Sequence, residues 1–320
     1  MTGTPSPSIP PRVLLTRRIP SSAFAALEAH CTVELDDRPG ALAPDELKRR
    51  LADKQGLITV VTDRISADVL DAAPGLKVVA NIAVGYDNID VAAAKARGVV
   101  VTNTPDVLTE AVAEFTWGLI FSVTRRIVEG DRLVRRGAWK GWALDFMLGT
   151  ELGGKQLGII GRGRIGRAVA AKAPAFGMHV MFAARGTGKR APDEVSLDEL
   201  LVSSDVISIH APMTSANRHL IDRKALARMK RSAFLVNTAR GPIVDEEGLA
   251  WALKERLIAG AALDVYEREP EVVAALMDLE SVVLAPHLGS ATRETRTAMA
   301  VLAVRNVVAV LDGKPPITPL

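Results

Sequence analysis

Residues 158–166 read GIIGRGRIG, and the fold turns on this stretch. An apolar run, Leu157 to Ile160, leads into Gly161, Gly163 and Gly166, and an alanine-rich helical pattern follows. G-x-G-x-x-G placed between a strand and a helix is the phosphate-binding turn of a dinucleotide-binding unit. The first glycine permits the tight turn, the second lets the backbone approach a pyrophosphate, and the third lets helix and strand pack closely. The helix start, at Arg164 and Ile165, offers unpaired N–H groups to the anion. Glycines in this pattern can also mark a turn without function; the strand–turn–helix setting separates the two cases.

Working outward, the same alternation of short apolar runs and helical patterns extends both ways. Upstream lie Val13 to Thr16, Leu57 to Val61, Lys77 to Val84 and Val99 to Thr102. Downstream lie Val180 to Phe182, Val206 to Ile209, Phe234 to Val236, Ala261 to Leu263 and Val282 to Leu284. Short β-branched runs between helices indicate parallel strands covered on both faces. The expected class is α/β, with two doubly wound parallel sheets. Ser21 stands where it would cap a helix running to His30, and Asp245 to Lys254 reads as another helix. Glu110 to Arg136 reads as one long helix or two in succession, and Thr292 to Leu311 as the last helix.

A chain of 320 residues that is 48% hydrophobic supports two cores rather than one. Forty basic and 37 acidic residues leave a net charge of +3, which gives no case for nucleic-acid or membrane binding. Cys31 is the only cysteine, so an intrachain disulfide and a multi-cysteine metal site are both excluded. His30, His179 and His219 lack metal-ligand spacing, and no metal is expected. The start of the chain, Met1 to Pro11, is rich in Pro, Ser and Thr; it reads as a disordered tail without the apolar centre of a signal peptide. A cytoplasmic protein is expected.

The strand after the glycine turn reports on the dinucleotide. NAD-binding chains place an acid near its end to hold the ribose 2′-OH. Here residues 180–184 read VMFAA, so Ala184 stands at that position, followed by Arg185, Lys189 and Arg190. Loss of a carboxylate removes repulsion against a 2′-phosphate, and a guanidinium can grip that phosphate through two hydrogen bonds. NADP is therefore the expected cofactor, with NAD the weaker alternative.

Three further segments end strands with chemistry. FLVNTARG (234–241) ends at Arg240–Gly241, AALDVYEREP (261–270) brings Asp264 and Glu269, and VVLAPHLGS (282–290) brings His287. Ligands of open α/β sheets sit at the carboxyl ends of strands. Arg240, Glu269 and His287 would supply an anion clamp, a partner for a proton donor, and the donor itself. The plainer readings are a bridging ion pair for Arg240, a helix cap for Glu269 and a packed histidine at His287.

Together with VGYDNID (84–90), NTPDVLTEAVAEF (103–115), SIHAPMT (208–214), NTARGPIVDEEGL (237–249) and PHLGSAT (286–292), these segments resemble the D-isomer-specific 2-hydroxyacid dehydrogenase family from about Val13 to Leu311. Residues 136–155, RGAWKGWALDFMLGTELGGK, are similar to its glyoxylate/hydroxypyruvate reductase branch. The resemblance implies a Rossmann cofactor domain, 102–287, inserted into a flavodoxin-like substrate domain, 1–101 plus 288–320. It implies a reductase that transfers a hydride to C2 of glyoxylate or hydroxypyruvate, giving the D-2-hydroxy acid; with the reading at Ala184 the reductant would be NADPH by preference. The substrate carboxylate would meet Arg240 and the backbone N–H groups of Val84 and Gly85, with Trp142 beside the substrate. His287 would donate a proton to the ketone oxygen, and Glu269 would orient the imidazole. Thr109, Gly161, Gly163, Arg164, Ile165, Gly166, Arg185, His210, Pro212, Thr238, Ala239, Asp264 and Gly289 would bind the cofactor. A homodimer through the cofactor domain is implied, with Trp139 and Trp142 near the interface. The same trio would also serve a sugar-derived keto acid such as 2-ketogluconate, or phosphite. Dinucleotide-sensing corepressors share the fold and the trio, and turnover of a keto acid separates them from enzymes. Asn217 and Arg268 depart from the residues common in the family.

Overall fold

The structure is a computed structural model that describes residues 9–38, 40–184 and 191–320. Most of the expected N-terminal tail, and Arg185, Lys189 and Arg190, lie outside the described residues. The chain forms two compact units. One runs to Leu108 and resumes from Thr292 to Leu320; the other is Thr109–Ala291. The first unit keeps residues just past its last strand because Asn103 N–H donates to Thr318 O and Thr104 N–H to Ala83 O.

The first unit holds five parallel strands: β1 (Arg12–Leu15), β2 (Thr32–Leu35), β3 (Gly56–Thr59), β4 (Val78–Asn81) and β5 (Val100–Thr102). Their order is β2-β1-β3-β4-β5, the flavodoxin-like arrangement. β3 and β4 are buried along their whole length, as an apolar run covered on both faces must be. The helix Arg293–Leu311 returns to this unit and lies so close to β3 that a Cβ on Gly56 would come 3.3 Å from Val307. β2 escapes the sequence reading because TVEL is a partly exposed edge strand without an apolar run. Ser21 is not the cap of its helix: Pro20 occupies that position without a side-chain cap, and its carbonyl accepts from Ala23 and Phe24 N–H, so the helix begins one residue early.

The second unit holds β6 (Gln156–Ile160), β7 (His179–Ala183), β8 (Glu194–Val195), β9 (Val206–Ile209), β10 (Phe234–Asn237), β11 (Gly260–Leu263) and β12 (Val282–Leu284). The order β12-β11-β10-β9-β6-β7-β8 runs outward in both directions from β6 and β9. It is the Rossmann order with one added strand, and its switch point lies at the glycine turn. The stretch read as one or two helices is two, Thr109–Thr124 and Ile127–Arg135, divided at Arg126, whose φ is 55°. The first buries Val112, Thr116, Ile120 and Val123 at helical spacing against β10, β11 and β12. No described helix is long and apolar enough to cross a membrane.

Candidate active site

β6 delivers the chain into the glycine turn. Gly161 has φ 109°, and a Cβ there would approach Ala211 N to 2.6 Å, so conformation and space both require glycine. A Cβ on Gly166 would overlap the carbonyl oxygen of Gly161, which fixes the close helix–strand contact. A Cβ on Gly163 would meet nothing within 4 Å, and Gly163 is the N-cap of the helix Arg164–Lys172 with no side chain capping it. These are the three separate demands that a pyrophosphate-binding turn makes on its glycines, and the turn fits a dinucleotide. Beside it, His210 follows β9. Its Nε2 lies 2.8 Å from Ser208 Oγ, while Nδ1 is enclosed without a hydrogen-bond partner among the described residues. Burial pushes the imidazole down to about 3, so it is neutral. Pro212 lies on the loop beyond, where Asn217 accepts from Thr214 N–H at 2.7 Å and donates to Pro212 O at 2.6 Å. This closure gives the departure at Asn217 its structural reason.

The neighbouring strands β10, β11 and β12 lead into the residues expected to carry chemistry. At the end of β10, Asn237, fully buried, accepts from Ala239 N–H at 3.0 Å and donates to Arg240 O at 2.9 Å. The turn places Thr238 against the helix Thr109–Thr124. Thr116 donates to Val112 O, so its oxygen accepts from Thr238 Oγ1 at 3.0 Å. Gly241 packs so tightly that a Cβ would overlap the backbone of Tyr266 and Glu267. The backbone of Arg240 is thus fixed from both sides. Thr109 itself opens that helix, partly exposed.

Beyond β11, Tyr266 donates its hydroxyl to Ala285 O at 2.9 Å, and burial pushes that phenol up to about 12. Tyr266 N–H donates to Glu269 Oε1 at 3.1 Å. Glu269 Oε2 accepts from His287 Nδ1 at 2.8 Å. Burial raises the Glu269 carboxyl. The hydrogen bond and charge of His287, the Tyr266 N–H and the charge of Arg240 outweigh it and hold the group below the usual carboxylate range. The structure therefore brings Arg240, Glu269 and His287 into one electrostatic neighbourhood.

Asp264 is 1% exposed and accepts from Leu288 N–H at 2.6 Å and Gly289 N–H at 2.8 Å. His287, at φ 55°, also donates its N–H to the carbonyl of Asp264 at 2.9 Å. Asp264 thereby sets the turn that presents His287. Burial raises its carboxyl, with the two N–H groups working against that rise.

The other expected residues lie elsewhere. In the first unit, Val84 O accepts from Asn103 at 2.8 Å and Gly85 O from Asn81 at 2.9 Å, which holds that backbone in one orientation. Trp142 is 80% exposed on a segment, 136–155, that holds no helix or strand. Arg185 falls outside the described residues. Asn237, Gly241 and Tyr266 went unread as positioning residues, although NTARG and LDVYEREP contain them.

Residues 117–289 match the family described as D-isomer specific 2-hydroxyacid dehydrogenase, NAD binding domain. A glyoxylate reductase of Thermofilum pendens is 47% identical over 317 residues, spanning 96% of this chain and 93% of the relative. One from Thermococcus kodakarensis is 44% identical over 317 residues, with 96% and 95% covered. A crystal structure of NADPH-dependent glyoxylate/hydroxypyruvate reductase from Sinorhizobium meliloti, in complex with NADP and malonate, superposes with a TM-score of 0.86. It is 33% identical and the match covers 97% of this chain and 96% of that one.

Proposed function

The chain belongs to the D-isomer-specific 2-hydroxyacid dehydrogenase family of NAD(P)-dependent oxidoreductases, and we propose that it reduces a small 2-keto acid, glyoxylate or hydroxypyruvate, to the D-2-hydroxy acid with NADPH as preferred reductant. The observation that supports this reading best is the 2.8 Å pair between His287 Nδ1 and Glu269 beside the charge of Arg240. With Nδ1 committed to Glu269, Nε2 is the ring nitrogen left to donate a proton to a ketone oxygen. Arg240 binds the substrate carboxylate through its planar fork and stabilises negative charge growing on the ketone oxygen. Glu269 fixes the plane of the ring, and Asp264 fixes the backbone beneath it. A bound dihydronicotinamide supplies the hydride. The glycine turn would hold its pyrophosphate, and His210, Pro212, Thr238, Ala239, Asp264 and Gly289 would hold the rest of the cofactor at the strand ends.

The preference for NADPH rests on Ala184, which ends the strand segment where an NAD-binding chain carries an acid. Its test is the ratio of kcat/KM for NADPH over NADH, which should exceed about ten, the effect of one removed charge repulsion. A ratio of one or less overturns the preference.

The second unit exposes Trp139, Trp142, Leu144 and Leu148 by 56–82%. Large apolar side chains gathered on one segment seek cover. A second copy of the chain is the proposed cover, giving a homodimer through this unit.

A further inference from the structure

Arg162, between the first two glycines, takes no part in the chemistry above. Its guanidinium donates to both oxygens of Asp193, at 2.8 and 2.9 Å, and stands 3.1 Å from Glu194 Oε1. It also lies 4.8 Å from the centroid of the Phe182 ring. Asp193 and Glu194 belong to the edge of the sheet beside the end of β7: Phe182 N–H donates to Asp193 O, and Ala184 N–H to Val195 O. The arginine therefore spans from the glycine turn to the end of the next strand. In this fold those two places receive the pyrophosphate and the adenosine ribose. The acid missing at Ala184 has thus not left the region free of carboxylates. Two of them stand nearby, and both face one guanidinium. Its planar fork and its contact with an aromatic face hold it in that position.

We propose that Arg162 is a specificity-determining residue for the 2′-phosphorylated cofactor, because it engages Asp193 and Glu194 and so offsets part of the charge with which they would repel a phosphate at the ribose. The inference rests on the NADPH reading and deepens it. An arginine that merely braced the turn would affect all adenine dinucleotides alike. One that masks carboxylates should discriminate by ligand charge.

The test is calorimetric binding of NADP+ and of NAD+, which differ only by the 2′-phosphate, without turnover. Arg162→Leu should weaken NADP+ more than NAD+, with a change in their affinity ratio on the order of tenfold for a screened like-charge pair. Adding Asp193→Asn and Glu194→Gln should return the ratio to the wild-type value or above it. Should Arg162→Leu fail to fold, Asp193→Asn/Glu194→Gln alone keeps the question open to test, since it should raise the ratio. An equal loss for both ligands, or an unchanged ratio in either variant, overturns the proposal. A wild type that binds NADP+ no better than NAD+ counts against the NADPH reading instead, while the change in ratio still decides the role of Arg162.

Discussion

At the carboxyl end of the β1–β5 sheet the loops are tied largely by amides; at the carboxyl end of the β6–β12 sheet, beside the Asn237 and Asn217 amides, carboxylates tie the turns after β11 and β12. In the first, Asn81 donates to Gly85 O and Asn88 Oδ1, Asn88 donates to Val60 O and Asp63 O, and Asn103 donates to Val84 O. Asp63 at that end is fully enclosed, with Thr16, Thr59 and Arg17 as partners. In the second, Asp264 holds the 287–289 turn, Glu269 holds His287, and Glu246 and Glu267 each accept from the other's backbone N–H. An amide fixes backbone at any pH. A carboxylate fixes it and also places negative charge beside a neighbouring group. In the proposed function the two ends differ as scaffold differs from chemistry.

The comparison breaks most visibly at Arg240. Arg240→Gln should lower kcat/KM by on the order of 10²–10³, the usual cost of one electrostatic stabiliser, with the melting temperature nearly unchanged. A fall in stability without a kinetic effect would place Arg240 in the scaffold class. Glu269→Gln should lower kcat by about ten- to a hundredfold, the loss of one charged hydrogen bond, with little change in cofactor affinity. It also carries a pH signature. Glu269 is held below its ordinary value of 4.5, so the contribution of the pair is complete above that pH and is lost as pH falls through the depressed value. Glu269→Gln should remove that acid-side loss, which thermal melts between pH 3 and 7 would show. On the other sheet, Asn81→Ala deletes two hydrogen bonds in a buried place and should cost about 1–3 kcal/mol of stability. Denaturant unfolding should show that cost independent of pH between 3 and 7. A pH-dependent cost would erase the distinction between the two ends.

Much of this is legible in the amino-acid sequence. The glycine turn was readable because its demands are local: a left-handed φ at Gly161 and an overlap at Gly166 leave no other residue acceptable. Central strands were readable because burial on both faces selects β-branched runs. β2 and the two-residue β8 were not, since edge strands need neither length nor apolar runs. Arg240, Glu269 and His287 stood out by residue type and by position after strands. Their supports did not. Asn237 and Tyr266 act through hydrogen bonds to backbone carbonyls and amides that only the folded chain brings near. Asp264 was read as a cofactor contact, and its bonds to Leu288 and Gly289 depend on a turn no spacing rule reveals.

The most direct measurement is NADPH oxidation at 340 nm with glyoxylate and hydroxypyruvate, comparing wild type with His287→Ala and checking cofactor affinity in both. The account predicts turnover of one of these acids by the wild type. It predicts a loss on the order of 10²–10⁴ in kcat for the variant, the scale of a general acid, at unchanged NADPH affinity. Wild-type activity that survives in His287→Ala, or cofactor binding without turnover of either acid, would contradict it.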